Sequence, residues 1–440
     1  MRNVVCPALL LAVASAHAVA GSATLDRAKL DRLGRLAAGS SVVVDGFPDG
    51  FGGTASVRFE KLDVYAPGAR ILVIDDTGEH EAPRSTRVQL IGTSASGDVR
   101  TSLSFDADGG HLVGVGRASG GTFVVSGERM IDGIALRAVP IESTYPPGVT
   151  PQILGNDDGL PTGHAQPGAL EIALAGAAPA GTLRGAVVAV DTDNEFMTER
   201  FNNNTGAAAN WIADLFATMN VMYERDLDVR LLQGTTMLRT ATDPYVQDGL
   251  PAADQPDLVE FGSYWQTHYG NIPRAFAMLL SGKSSSGNSA SGIAWINSYC
   301  ENQSQGGSYS FNEVFTNPQV NVGLSALIVG HELGHNFGAF HTHCTNAATG
   351  AAPTGSNTID KCYSSEQNCY SGATSCPSSG PGAPAGTIMS YCNLIPCGPT
   401  GQNVAQFHPT QINVLNTLIA QHTPSCLSPT VDVIFEDGFD

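Results

Sequence analysis

His331-Glu332-Leu333-Gly334-His335-Asn336-Phe337-Gly338-Ala339-Phe340-His341 is the stretch from which the rest of this chain is read. It has the form H-E-x-x-H-x-x-G-x-x-H. The apolar run Leu324-Ser325-Ala326-Leu327-Ile328-Val329-Gly330 before it predicts a buried helix entering the motif. Four residues apart on that helix, His331 and His335 project both imidazoles from one face. Gly338 lets the backbone leave in a left-handed conformation, so that His341 swings back as a third ligand. Three neutral imidazoles leave a fourth tetrahedral position open, the pattern of a catalytic rather than a structural zinc ion. Glu332 can reach a water at that position without binding the metal, a residue that a purely structural site would not need.

Downstream, Gly386-Thr387-Ile388-Met389-Ser390-Tyr391-Cys392 places a methionine where a floor under such a site is wanted. With the eleven-residue motif it resembles the metzincin clan of zinc endopeptidases, whose Met-turn Met389 would supply. The match sharpens towards reprolysin (adamalysin, ADAM-type) catalytic domains. It is carried by Val190-Asp191, by Met219-Asn220-Val221-Met222-Tyr223, by Leu279-Leu280-Ser281-Gly282, and by Gly292-Ile293-Ala294-Trp295 with Cys300. His341-Thr342-His343-Cys344 is similar to stretches in bacterial secreted members. The resemblance covers about residues 183–426.

It implies an α+β, zincin-like fold with a mixed sheet, an active-site helix and a Met-turn. It also implies an endopeptidase acting on protein or peptide substrates through one zinc ion. Glu332 would take a proton from the zinc-bound water and hand it to the leaving amine, with no covalent intermediate. Tyr391 has two readings: an oxyanion donor or fifth ligand, as in astacin- and serralysin-like metzincins, or a ring packed against the Cys392 disulfide. His343 is read as a neighbour of the ligands rather than a ligand. Calcium does not follow from these residues in either direction.

A chain of 440 residues has room for two domains and a sizeable core. Its formal net charge is −19, yet only 14% of residues are charged, and no basic patch occurs. Nucleic acid and anionic membranes are therefore poor partners, and we expect neither. We expect a monomer. At the start, Arg2 and the apolar run from Val4 to Ala16 precede Ala16-His17-Ala18 or Ala18-Val19-Ala20. These read as a signal peptide over residues 1–20 and predict a secreted protein. No later run of about 20 apolar residues offers a membrane anchor.

Setting Cys6 aside leaves Cys300, Cys344, Cys362, Cys369, Cys376, Cys392, Cys397 and Cys426, all in the last third. In an exported protein, an even number crowded in one region reads as up to four disulfides. The resemblance implies a Cys300–Cys426 pair; the other six leave fifteen connectivities open.

Residues 21–145 contain short alternating runs, at Ser40–Val44, Arg70–Ile74, Arg87–Ile91 and Gly121–Val125, separated by Gly, Asp and Ser turns. They predict a small β-rich region, either a propeptide or a binding module, with His80 and His111 isolated and exposed. Residues 146–182, rich in Pro, Gly and Asp, read as a linker with a processing site. No cysteine lies in residues 21–182 to silence a metal, so latency would fall to another device; Asp157 and Asp158 lie where one could act. Strands at Ala186–Val190, Asp228–Leu232, Ala275–Leu280 and the edge Gly292–Ile296, with helices at Asn210–Tyr223, Leu258–Tyr269 and Thr410–Ile419, complete residues 183–426. Residues 344–386 read as a long stapled loop beside the cleft, and 427–440 as an apolar-acidic tail. The competing reading is a secreted binding or adhesion protein with a vestigial zinc site.

Overall fold

The computed structural model describes residues 23–147, 152–153, 182–247, 252–284, 286–377, 386–394, 397 and 404–429. The expected signal peptide, Asp157 and Asp158, most of the linker and the tail from residue 430 lie outside these.

The N-terminal part lays down β1 (Thr24–Asp26), α1 (Arg27–Gly34), β2 (Ser41–Pro48), β3 (Thr54–Lys61), β4 (Ile71–Asp75) and β5 (Gly78–Ala82). It continues with β6 (Val88–Ser94), β7 (Arg100–Phe105), β8 (Leu112–Ala118), β9 (Gly121–Met130) and β10 (Gly133–Pro140). Eight of these strands form one antiparallel sheet in the order β1-β10-β9-β8-β7-β6-β3-β2. Alternation sorts their side chains to two faces. Val57, Phe59, Leu90, Leu103, Phe105, Phe123 and Val125 fill a core of their own, together with Leu33 of α1. The intervening residues, Gln89, Ile91, Ser102, Ser104, Thr122 and Val124, are also buried. The sheet is therefore covered on its second face too.

The cover is α2 (Thr205–Leu227), N-capped by Asn204, whose side chain accepts from Ala207 N, and closed by Asp228 in the left-handed region at φ 51°. Every residue from Trp211 through Glu224 is buried, as expected of a helix packed on all sides. On its far side lies a second sheet, built from β12 (Arg184–Thr192), β13 (Val229–Arg239), β14 (Phe276–Ser281), β16 (Gly292–Ala294) and β17 (Tyr309–Glu313). A short pair, β11 (Gln152–Ile153) with β15 (Ser289–Ala290), stands apart from it.

The second sheet runs β16-β17-β14-β12-β13-β4-β5, so the β4–β5 hairpin of the N-terminal part completes it. Strand β4 pairs parallel with β13, Ile71 opposite Thr236 through Ile74 opposite Arg239. The run Arg70–Ile74 is thus a strand as expected, but it belongs with the later strands. The antiparallel strands are the two outermost, β16 and β5.

Helix α3 (Gln255–His268) opens with a capping box between Asp254 and Asp257. It lays Leu258, Phe261 and Trp265 on the sheet. There Asp191, fully buried, accepts from Arg239 Nε and Nη2 at 2.8 Å each, Tyr245 Oη at 2.7 Å and Trp265 Nε1 at 2.9 Å. That set of donors satisfies a buried carboxylate. Helix α4 (Val322–Asn336), capped by Asn321, carries the histidine motif across the core. Helix α5 (Pro409–Gln421) follows near the end.

Four disulfides join Cys300 to Cys426, Cys344 to Cys369, Cys362 to Cys392 and Cys376 to Cys397. The pair implied for Cys300 and Cys426 is present. It closes a loop with a sequence separation of 126, a constraint on the unfolded chain worth on the order of 4–5 kcal/mol. The sequence-based picture of His80 and His111 as isolated needs correction. His80 Nε2 stands 3.0 Å from Asp75, which alternation puts on the same face of the β4–β5 hairpin, and His111 Nε2 stands 3.8 Å from the buried Asp214 of α2.

Candidate metal centre

Helix α4 presents His331 and His335 on one face, and the chain leaves it through Gly338 at φ 107°. A side chain at 338 would be strained there, and its Cβ would lie 2.4 Å from Leu418. The turn brings His341 back, as the spacing required. The three Nε2 atoms converge: His331 to His335 is 3.1 Å, His335 to His341 3.2 Å and His331 to His341 3.3 Å.

Each ring is held by its other nitrogen. His331 Nδ1 lies 2.7 Å from Ile388 O, His335 Nδ1 2.7 Å from Ala339 O, and His341 Nδ1 2.7 Å from Glu366 Oε2. Carbonyls and a carboxylate can only accept, so in each case Nδ1 carries the proton. A neutral imidazole then turns its Nε2 lone pair inward, and three lone pairs face one another at about hydrogen-bond distance. That arrangement is repulsive unless a cation lies among them. A tetrahedral ion with metal–nitrogen bonds of about 2.0–2.1 Å separates its ligand nitrogens by about 3.3 Å. The spacing and the tautomers both fit zinc.

Glu332 is buried at 4% exposure. Edge strand β16 passes so close that a Cβ on Gly292 would lie 2.6 Å from Glu332 Oε1 and 2.5 Å from its Cγ. The carboxylate therefore occupies a slot that a glycine leaves open. Met389 is fully buried beneath the helix, and a Cβ on Gly334 would meet its Sδ at 2.6 Å. Its carbonyl accepts from Thr342 N at 3.0 Å, tying the segment below the helix to the third histidine's neighbour. Tyr391 packs its ring 4.3 Å from that of His341, with His343 and Tyr363 at 5.3 and 5.2 Å.

Sequence reasoning missed Glu366. Its buried Oε2 accepts from His341 Nδ1 and, also at 2.7 Å, from His343 Nε2. Burial opposes its ionisation, but the two imidazoles outweigh this and hold the carboxyl well below the usual range. His343 is accordingly buried and shares an anchor with the third histidine. Asp360 was missed as well: its Oδ2 accepts from Thr342 Oγ1 and, at 2.6 Å, from Ser390 Oγ. A faint signal existed. Between Cys344 and Gly386 the charged residues are only Asp360, Lys361 and Glu366. Carboxylates in so uncharged a stretch, stapled by disulfides, invite the question of what they bind.

The class defined by this fold and site is the metallopeptidases. The family model Reprolysin_5, metallo-peptidase family M12, matches residues 182–406, just over half of the chain, and the chain belongs to that family, as a reprolysin-like metzincin. No curated protein matches it. M12 metallopeptidases depend on zinc and act on protein or peptide substrates. Among the described residues no helix is long and apolar enough to cross a membrane, and the four disulfides are compatible with an extracellular protein.

Proposed function

We propose that the chain is a secreted endopeptidase of the bacterial type, in which His331, His335 and His341 hold zinc and Glu332 is the general base. The observation that carries this reading is the convergence of three Nε2 atoms whose partner nitrogens all face acceptors. When bound there, zinc supplies Lewis acidity, lowering the pKa of a water towards about 7 and polarising a peptide carbonyl. Glu332 takes a proton from the attacking water and passes it to the leaving amine. Ile388, Ala339 and Glu366 keep the imidazole lone pairs aimed, so no reorganisation is needed during reaction. Met389 is the Met-turn floor. Tyr391 walls the site beside His341.

The substrate is an extended peptide. Strand β16 is the outermost of its sheet and passes directly over Glu332. An edge strand in that position can pair with a substrate backbone and present its carbonyls to the site. The disulfide-stapled residues 344–377 would supply the opposite, primed wall. Family membership does not favour the vestigial-site, adhesion reading.

Casein hydrolysis by the purified protein tests this. We expect a zinc chelator to reduce cleavage to background and added zinc to restore it. Cleavage that persists in metal-stripped protein would sink the proposal. So would a zinc-loaded protein that cuts none of several unrelated substrates, which would hand the lead to a binding role.

Gly292→Ala probes the slot. The new methyl must push the Glu332 carboxylate aside by a substantial part of an ångström, and misplacement on that scale costs about 100-fold in rate. We expect kcat/KM to fall about 100-fold while zinc content and Tm stay near wild type. Full activity in the Gly292→Ala variant would show that Glu332 does not need this position.

A further inference from the structure

We propose that residues 23–147 are a permanent part of the folded protein, docked on the back of the catalytic part, so that cutting the linker does not release them. Four observations converge on this.

Strand β4 is hydrogen-bonded into the sheet that carries the site: Thr236 N donates to Arg70 O at 2.8 Å and Thr240 N to Ile74 O at 3.0 Å. Just before it, Gln233 N donates to Val64 O at 2.6 Å and Ala66 N to Gln233 O at 2.9 Å. Losing β4 and β5 would leave β13 as a bare edge, open to pairing with other chains.

The apolar contact is continuous. Leu62, Val64, Ile71, Ile91, Val124 and Ile141 belong to the same buried cluster as Phe216, Met219 and Leu333. Such a cluster is a core, and its two contributors are held together by the hydrophobic effect rather than by the connecting chain.

Charges on α2 find their partners across the boundary. Asp214, buried at 4%, accepts from Arg87 Nη1, from Gln89 Nε2 at 2.9 Å and from Ser104 Oγ. Glu224 accepts from Arg100 Nη2 at 2.6 Å. Further along, Ser85 Oγ donates to Asn210 at 2.6 Å, and Ala405 N to Thr122 Oγ1 at 3.1 Å. Separation would strip these buried groups of most of their partners at once.

The docking lies behind the metal centre. Where the N-terminal sheet meets α4, Val115 lies against Gly323, eight residues before His331 and so about 12 Å away along the helix. A second contact, Arg117 Nε donating to Gln406 Oε1 at 3.2 Å, reaches the segment whose Gln406 carbonyl accepts from Ile388 N. It meets His331 from the Nδ1 side, through Ile388, and not from the Nε2 side, so departure of the sheet is not needed to expose the three Nε2 atoms. The region completes the fold; it does not plug the site.

The test uses the full chain carrying Glu332→Ala, to prevent self-cleavage, with a recognition site for a sequence-specific protease inserted between residues 163 and 164. After complete cutting, we expect both fragments to run as one species at the mass of the intact chain in size-exclusion chromatography. They should unfold in a single transition. Free N-terminal fragment in native buffer would overturn the proposal. A second insertion, between residues 168 and 169, guards against a local effect of the first, and the uncut proteins show that each variant folds. The readout is mass, so it stands or falls apart from the peptidase assignment.

Discussion

Glu332→Ala cuts casein about 10²–10⁴-fold more slowly than the wild type, the range that a positioned general acid–base group contributes, and still binds one zinc ion. The reason lies in the separation of tasks on α4. His331 and His335 face the metal position, whereas the Glu332 side chain lies in the slot beside Gly292. Removing the carboxylate leaves all three Nε2 atoms and all three Nδ1 anchors in place, so metal binding persists while proton transfer is lost. Glu332→Gln, which keeps the shape without the basicity, should be impaired to a similar degree. Rates and zinc stoichiometry measured on the same preparation decide the matter. A variant that loses zinc with its activity would make Glu332 part of the binding site, and one that keeps its rate would remove it from the mechanism.

Glu366→Ala weakens zinc binding about 10–100-fold, the usual cost of losing the group that orients a metal-binding histidine. His341 reaches the centre from outside the helix, so its ring direction is not set by α4 and depends on the 2.7 Å bond to Glu366. Truncation leaves two buried imidazoles, those of His341 and His343, without their shared acceptor. Competition with a chromophoric chelator measures the loss directly. At saturating zinc the rate should recover most of the way, because Glu366 acts through His341 and touches no substrate. Glu366→Gln, which retains an acceptor oxygen, should fall between the two. If the Ala variant holds zinc as tightly as the wild type, the carboxylate is merely structural.

The centre was legible because metal chemistry imposes short spacings. His331, Glu332, His335 and His341 sit within one helix and one turn, and the local geometry of α4 and Gly338 is enough to bring them together. Glu366 was not legible, since the loop that delivers it has no repeating pattern and its position follows from disulfides whose pairing the spacings leave open. The catalytic strands and helices were visible in outline; β17, with five buried residues that do not alternate, was overlooked. In the N-terminal part the failure was instructive. Gln89, Ser102, Ser104 and Thr122 alternate with apolar neighbours as a solvent face does, yet they are buried on the face turned to the catalytic part, where Gln89 and Ser104 meet Asp214 of α2 and Thr122 meets Ala405. Alternation reports that two faces differ, not that one of them is wet. The same limit hid the true home of β4, because a strand's run of residues does not say which sheet it joins.

The position of α2 between the two sheets also bears on the order of events during synthesis. The ribosome delivers residues 23–147 first, and their own apolar core lets most of that sheet assemble early. The face that will receive α2 is then already in place when residues 205–227 emerge. The contact between residues 71 and 236 must wait for β13, and the contact of Thr122 with Ala405, across a sequence separation of 283, comes later still. In this chain the template precedes its client: α2 docks on a surface made before it existed, and α4, which carries the histidine motif, packs there afterwards.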